Sequence, residues 1–167
     1  MITAHVVSRV RERLSGISDL YNRLVLVVGP SGSGKTAVLR AVGEAEGAPV
    51  LPVGAEVSRR LLELTERQRV LQLPTMLEEA VAGLPPEIAL LDNTEILFSP
   101  ALKQDPLRLL QRISRNRTVI ASWLGSVSGG TLTYAAPDHP EFRRYATEDL
   151  LVVTLDDSSN RPAKVEK

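Results

Sequence analysis

Apolar residues recur every fourth position at the start of the chain. Ile2, Val6, Val10 and Leu14 predict an amphipathic helix over residues 2–14, with Gly16 as its stop. The pattern then changes: residues 24–28 are an unbroken apolar run, as expected of a strand covered on both faces. A glycine-rich turn leads from that strand into a helix predicted from about residue 36 to 46. Residues 49–53 suit a short second strand, and the charged stretch 55–70 reads as helix. Thr75 and Glu78 have the capping-box spacing of a further helix, with Ala80, Val81 and Leu84 on its inner side. Residues 88–91 form a second fully apolar strand that ends on Asp92. Asp105-Pro106 starts a helix with Leu107, Leu110 and Ile113 facing inward. Residues 118–123 read as strand, Asp138 with Glu141 reads as the cap of a short helix through Tyr145, and residues 150–155 make the last strand.

Strands separated by helices predict an α/β fold of three layers, a mainly parallel five-stranded sheet with helices on both faces. The expected domain is single, residues 1–155, with the helix at 2–14 preceding a core at 21–155. The polar stretch 156–167 is expected to be an unstructured tail. Twenty Lys and Arg balance twenty Asp and Glu, so no global positive field draws the chain to nucleic acid or to an anionic membrane. The absence of cysteine excludes disulfides, thiol catalysis and Cys-type zinc sites. No apolar run approaches the roughly 20 residues a spanning helix needs, and charged Arg9, Arg11, Glu12 and Arg13 stand where a signal peptide is apolar. A cytoplasmic location is expected.

Gly29-Pro30-Ser31-Gly32-Ser33-Gly34-Lys35-Thr36 matches G-x-x-x-x-G-K-[ST] in full. Glycines let successive backbone N–H groups turn inward around a phosphate, and the helix that follows offers its positive end to the anion. Lys35 can reach the β- and γ-phosphates as a point charge, and the Thr36 hydroxyl can ligate Mg²⁺. Ala37, the next residue, completes the predicted nucleotide-binding set 29–37. A chance match in a chain of this length is expected less than about 1% of the time. A P-loop NTPase fold binding ATP and Mg²⁺ is therefore expected.

Such a site needs a carboxylate at the end of a neighbouring strand, and Asp92 after Ile88-Ala89-Leu90-Leu91 supplies one. Thr36 and Asp92 are the predicted metal residues. Asn93 follows Asp92 and can orient water but cannot take its proton. Glu95, two residues on, reaches the water only if the strand ends in a turn. Either Glu95 is the base, or hydrolysis is slow and Asn93 only positions water. Ser122, at the end of the strand 118–123, is the candidate sensor of the γ-phosphate, with a small packing residue as the plain alternative. Trp123 reads as packing, and His5 and His139 show no partner pattern for a metal or base role, His139 being expected in a helix's first turn. Most arginines suit solvated helix faces.

The order of strand, GPSGSGKT, LLDNTE, the ASW strand and the HPEFRRY segment resembles the BrxF family, the small stand-alone P-loop proteins of type-3 BREX phage-defence loci. The resemblance spans residues 21–155, and its one specific motif is the phosphate loop. It implies an additional-strand P-loop ATPase with an AAA+-like core and no helical lid, acting with larger defence proteins and reaching DNA indirectly. It also implies that Arg143 and Arg144, expected at the end of the short helix before the last strand, are candidates for an arginine finger entering a neighbouring subunit. A homo-oligomer follows as an expectation. Two other readings stay open. One is a small-molecule or nucleotide kinase, with Arg59, Arg60, Arg67 and Arg69 as a closing lid. The other is a nucleotide-dependent scaffold that does not hydrolyse, a reading that Asn93 favours.

Overall fold

The computed structural model describes residues 2–136 and 138–155; the expected tail lies outside the described residues. The chain runs α1 (Ile2–Leu14), β1 (Leu24–Gly29), α2 (Lys35–Glu46), β2 (Val50–Pro52), α3 (Val53–Leu61), α4 (Glu66–Ala82), β3 (Ile88–Asp92), α5 (Pro106–Ile113), β4 (Thr118–Ser128), β5 (Thr131–Tyr134), β6 (Arg143–Ala146) and β7 (Leu151–Thr154). Five strands form a parallel sheet in the order β2-β3-β4-β1-β7, with β1 and β4 in its interior.

Alternation along β1 divides the core. Val25 and Val27 pack with Val6 and Val10 of α1 and Val38, Leu39 and Val42 of α2 on one face. Leu24, Leu26 and Val28 pack with Val57, Leu73, Leu77 and Leu110 of α3, α4 and α5 on the other. All six residues of β1 are buried, which is why that segment is apolar without interruption. The three-layer α/β expectation is met.

The sheet, however, has seven strands among the described residues rather than five. β4 runs eleven residues, well past the end of its predicted stretch, and its outer half pairs antiparallel with β5, which pairs in turn with β6. The turn is Gly129-Gly130, both with positive φ (56° and 80°), and Ser128 faces Thr131 across it. Two left-handed residues match the twist of a two-residue hairpin, a conformation glycine adopts without strain. The expected helix from Asp138 to Tyr145 is therefore absent. Residues 138–142 turn, and Arg143–Ala146 extend along β5. His139 lies in that turn, where its Nδ1 accepts from the Glu141 N–H at 3.0 Å, and not in a helix. The local cap pattern loses to the four-residue ladder that β5 offers.

Residues 55–70 likewise are not one helix. α3 stops at Leu61 and α4 begins after Thr65, whose Oγ1 accepts from Gln68 N (3.2 Å) while Gln68 Oε1 accepts from Thr65 N (2.9 Å). The working capping box is thus Thr65–Gln68 and not Thr75–Glu78. Thr75 sits within α4, just after Pro74. A proline inside a helix costs ~3 kcal/mol. Leu73 and Leu77, both wholly buried, stabilise the continuous helix by ~1.5–3 kcal/mol each, so the stripe carries through the proline. α5 starts as expected, with Asp105 accepting from Arg108 N and Pro106 in the first turn.

Candidate functional site

The phosphate loop joins β1 to α2. Gly32 (φ 76°) and Gly34 (φ 101°) hold left-handed backbone that a side chain would strain. A Cβ on Gly29 would run into the Ser33 hydroxyl, so the loop closes tightly on itself. Lys35 opens α2 and donates from Nζ to the carbonyls of Gly29 (2.9 Å) and Pro30 (2.8 Å). Burial holds its ammonium below the usual lysine range, while the charges of Glu95 and Asp92 pull it back up. The Lys35 charge, the loop's N–H groups and the α2 N-terminus make one anion-binding concavity.

The Thr36 hydroxyl donates to Asp92 Oδ2 at 2.6 Å. Residues 56 apart in sequence meet because β3 ends level with the loop, and Asp92 is nearly buried there. The cleft has a volume of about 590 Å³ and is lined by residues 31–36 together with Asp92, Asn93, Glu95 and Leu124. Asn93 takes a left-handed conformation (φ 55°), and a 3₁₀ turn, Thr94–Phe98, follows at once. The strand does end in a turn, and Glu95 lines the cleft beside Asn93. Thr94, wholly buried, fixes this turn by donating its hydroxyl to the Ser122 carbonyl at 2.7 Å.

Ser122 itself does not line the cleft. It pairs in register with Val27, one residue past the Ala121–Leu91 pair of β4 and β3. Its hydroxyl is buried and has no hydrogen-bond partner; the same holds for Ser33. Ala37 is exposed on α2, and Gly29 and Pro30 contribute their carbonyls to Lys35 rather than a wall of the cleft.

Arg143 and Arg144 do not end a helix; they lie on β6, and neither lines the cleft. Arg143 donates from Nη2 to the Gln104 carbonyl at 2.9 Å, which ties the hairpin to the start of α5, and Arg144 is exposed. Arg59 and Arg60 both bond Glu56 at 2.7 Å, and Arg69 bonds the Leu64 carbonyl. With Arg67 they stay on α3 and α4 and away from the cleft, so the described structure contains no arginine lid over it.

Sequence reasoning missed Thr94, Leu124 and Tyr134. Tyr134 stacks on Phe98 with ring centroids 3.5 Å apart, and Trp123 meets Phe98 edge-on at 5.0 Å. Burial pushes the Tyr134 phenol well above its ordinary range, reinforced by the charges of Glu141 and Glu95. The available signal was Gly129-Gly130 between the alternating stretches Ser126-Val127-Ser128 and Thr131-Leu132-Thr133. Trp123 is packing, as expected, with Nε1–H bonded to the Thr133 carbonyl.

A divalent cation fits this donor set. Among the described residues no cluster of three or more acidic or imidazole side chains forms a cage. Mg²⁺ asks for none, since it binds through one or two protein oxygens plus phosphates and waters. The Thr36 hydroxyl and the Asp92 carboxylate, 2.6 Å apart, are the oxygens that would serve. Among the described residues no helix is long and apolar enough to cross a membrane.

Residues 4–161 match the family described as the AAA ATPase domain. No curated protein matches the chain. Three solved structures are similar at low identity. They are PCH-2 of C. elegans (15% identity, 93% of this chain and 42% of that one, TM-score 0.45), AMPPCP-bound DnaA from Aquifex aeolicus (17%, 88% and 44%, 0.45) and a DNA replication initiation factor (18%, 90% and 46%, 0.46). The chain spans less than half the length of each of these.

Proposed function

The chain belongs to the AAA ATPase domain family, and from that premise we propose that it is a Mg²⁺-dependent, slow ATPase serving as a subunit of a BREX-type phage-defence complex. The observation that carries the chemistry is the 2.6 Å bond between Thr36 and Asp92 beneath the phosphate loop. It brings the metal-binding hydroxyl and the strand-end carboxylate into a single site. The defence role is supported by the motif order Gly29–Thr36, Leu90–Glu95 and Ala121–Trp123, which resembles the BrxF family over residues 21–155.

Lys35 and the loop N–H groups bind the β- and γ-phosphates and offset charge that builds up as the terminal phosphoryl leaves. Mg²⁺, when bound, would neutralise phosphate charge. Thr36 and Asp92, already joined by a hydrogen bond, are the residues that would hold it. Asn93 holds the attacking water, and the Glu95 carboxylate takes its proton. Ser122 is the residue we assign as sensor of the γ-phosphate, a role supported by its buried hydroxyl having no hydrogen-bond partner. Turnover is slow because an amide and not a carboxylate follows Asp92 directly, leaving the base two residues away on a turn.

We further assign self-association to the nucleotide-bound form, with Arg144, exposed on β6, reaching a neighbour's site. Contact with DNA runs through partner proteins, in keeping with the chain's balanced charge.

The test is binding of a fluorescent ATP analogue and release of phosphate by the purified protein, with and without Mg²⁺ and with and without DNA. Magnesium-dependent binding and a rate well below the ~10 s⁻¹ typical of enzymes are expected. Equal binding without Mg²⁺, or in a folded Asp92→Ala variant, would overturn the site. For the defence role, pull-down of the larger BREX proteins from cells carrying such a locus is expected, and none captured would overturn it.

A further inference from the structure

A second concavity, of about 630 Å³, adjoins the cleft and shares two of its walls, Ser31 and Leu124. Its other surfaces come from the loop's Pro30 and from the hairpin: Tyr134, Ala135 and Ala136, with His139 and Phe142 from the turn before β6. The phosphate-binding chemistry uses none of these hairpin residues.

The lining defines what fits. Among the described residues no acidic, lysine or arginine side chain borders the space, so no charged group is matched there. Its hydroxyls are occupied in part by each other, with Ser126 Oγ and Thr133 Oγ1 3.1 Å apart. His139 Nδ1 accepts a backbone N–H, which leaves Nε2 as the donor of the neutral ring. The volume lies in the ~300–1,000 Å³ range of pockets for drug-sized molecules, several times a single side chain. The back wall is closely packed: Tyr134 is stacked on Phe98 and edge-on to Trp123, and Gly125 lets β4 approach the Thr133 carbonyl, where a side chain would collide.

We propose that this pocket binds an uncharged, mainly apolar ring compound, and that its occupancy is coupled to nucleotide in the neighbouring cleft. The coupling has a physical route. Tyr134 lines the pocket and stacks on Phe98, and Phe98 closes the same 3₁₀ turn that carries Glu95 into the cleft. Ser31 and Leu124 touch both spaces, so any movement of the loop around phosphate reshapes the pocket wall. Ligand binding in the pocket does not depend on the ATPase reading; the coupling does.

The experiment is a fluorescence titration of the whole chain with the neutral dye N-phenyl-1-naphthylamine, alone and with Mg²⁺ and a non-hydrolysable ATP analogue. Saturable, one-site binding is expected, weakened at least tenfold by Ala136→Trp, which fills the space, and several-fold by Phe142→Ala, which strips its half-exposed rim. Circular dichroism checks that each variant is folded, and the Phe142 variant does not depend on the pocket tolerating a larger group. Non-saturable binding, or equal affinity in a folded variant and the parent, overturns the pocket. With nucleotide, a change of at least threefold in dye affinity is expected. Nucleotide affinity, measured separately with a fluorescent ATP analogue, distinguishes the cases. If nucleotide binds and dye affinity does not move, the coupling is wrong; if nucleotide does not bind at all, the ATPase reading fails and the pocket stands.

Discussion

Lys35 serves two masters at the residue scale. Its ammonium is bonded to two loop carbonyls and drawn by two carboxylates, yet burial alone is enough to hold it below the ordinary lysine range. A bound phosphate would offset the cost of burying that cation. Lys35→Ala is expected to weaken ATP binding at least tenfold, about 1.4 kcal/mol, and to abolish phosphate release while leaving the circular dichroism spectrum unchanged. Glu95 belongs to the same argument. It lines the cleft and acts on Lys35 across it, so Glu95→Gln should lower turnover by about 10²–10⁴ with ATP affinity within about twofold. Fast turnover in that variant would place the base elsewhere.

Two elements carry local devices that can be tested separately from catalysis. α4 begins at a reciprocal cap, Thr65 with Gln68, and the helix carries the buried stripe Leu73, Leu77 and Val81 beneath the sheet. Thr65→Ala is expected to cost about 1 kcal/mol, read as a lower urea midpoint with unchanged slope. On β6, the Tyr145 hydroxyl donates to Asp105 Oδ1 at 3.0 Å, next to the Arg143–Gln104 bond. Burial, then the charge and hydrogen bond of Asp105, push this phenol up to about 12 from the ordinary 10, against a smaller opposing pull from Arg143. A phenol raised in the folded state favours its neutral form. Its contribution is complete below pH 10 and is lost as pH rises through 12. Tyr145→Phe should therefore lower stability near neutral pH by about 1 kcal/mol and flatten its decline between pH 10 and 12. A parallel decline in parent and variant would show that the phenol does not titrate against folding.

The whole molecule places its cleft at one end of the parallel sheet, with the β5–β6 hairpin standing beside it. Arg144 is exposed on that hairpin, whereas Arg143 is spent on Gln104. A second copy that covers the cleft would bring an arginine to the γ-phosphate, where such a group is worth ~10³–10⁵ in rate. Specific activity is expected to rise with protein concentration, and Arg144→Ala to remove that rise without changing ATP affinity. Mixing Arg144→Ala with Lys35→Ala should restore part of the activity, because one variant supplies the intact loop and the other the arginine. Sedimentation that shows a monomer at all concentrations with ATP would exclude the shared site.

Local chemistry was enough to reveal much of this protein. The eight residues from Gly29 to Thr36 carry their own backbone requirement, and the short, valine-rich apolar run before them, closed by a glycine turn, reads as a buried strand. Asp92 was legible because an acid that ends an apolar strand has few places to be other than the carboxyl edge of a sheet. Helix α5 could be read because period and cap agree in it, and α1 because its fourfold apolar period is unbroken. Where local signals conflicted, tertiary packing decided. The Thr75–Glu78 cap lost to a buried stripe running through Pro74, and the Asp138–Glu141 cap lost to a strand partner that exists only once Gly129-Gly130 has folded β4 back on itself. The neighbourhood of Glu95 could not be read from spacing either. It depends on a left-handed Asn93 and on Thr94 bonding a carbonyl 28 residues away, and hydrogen bonds between distant strands leave no period in a sequence.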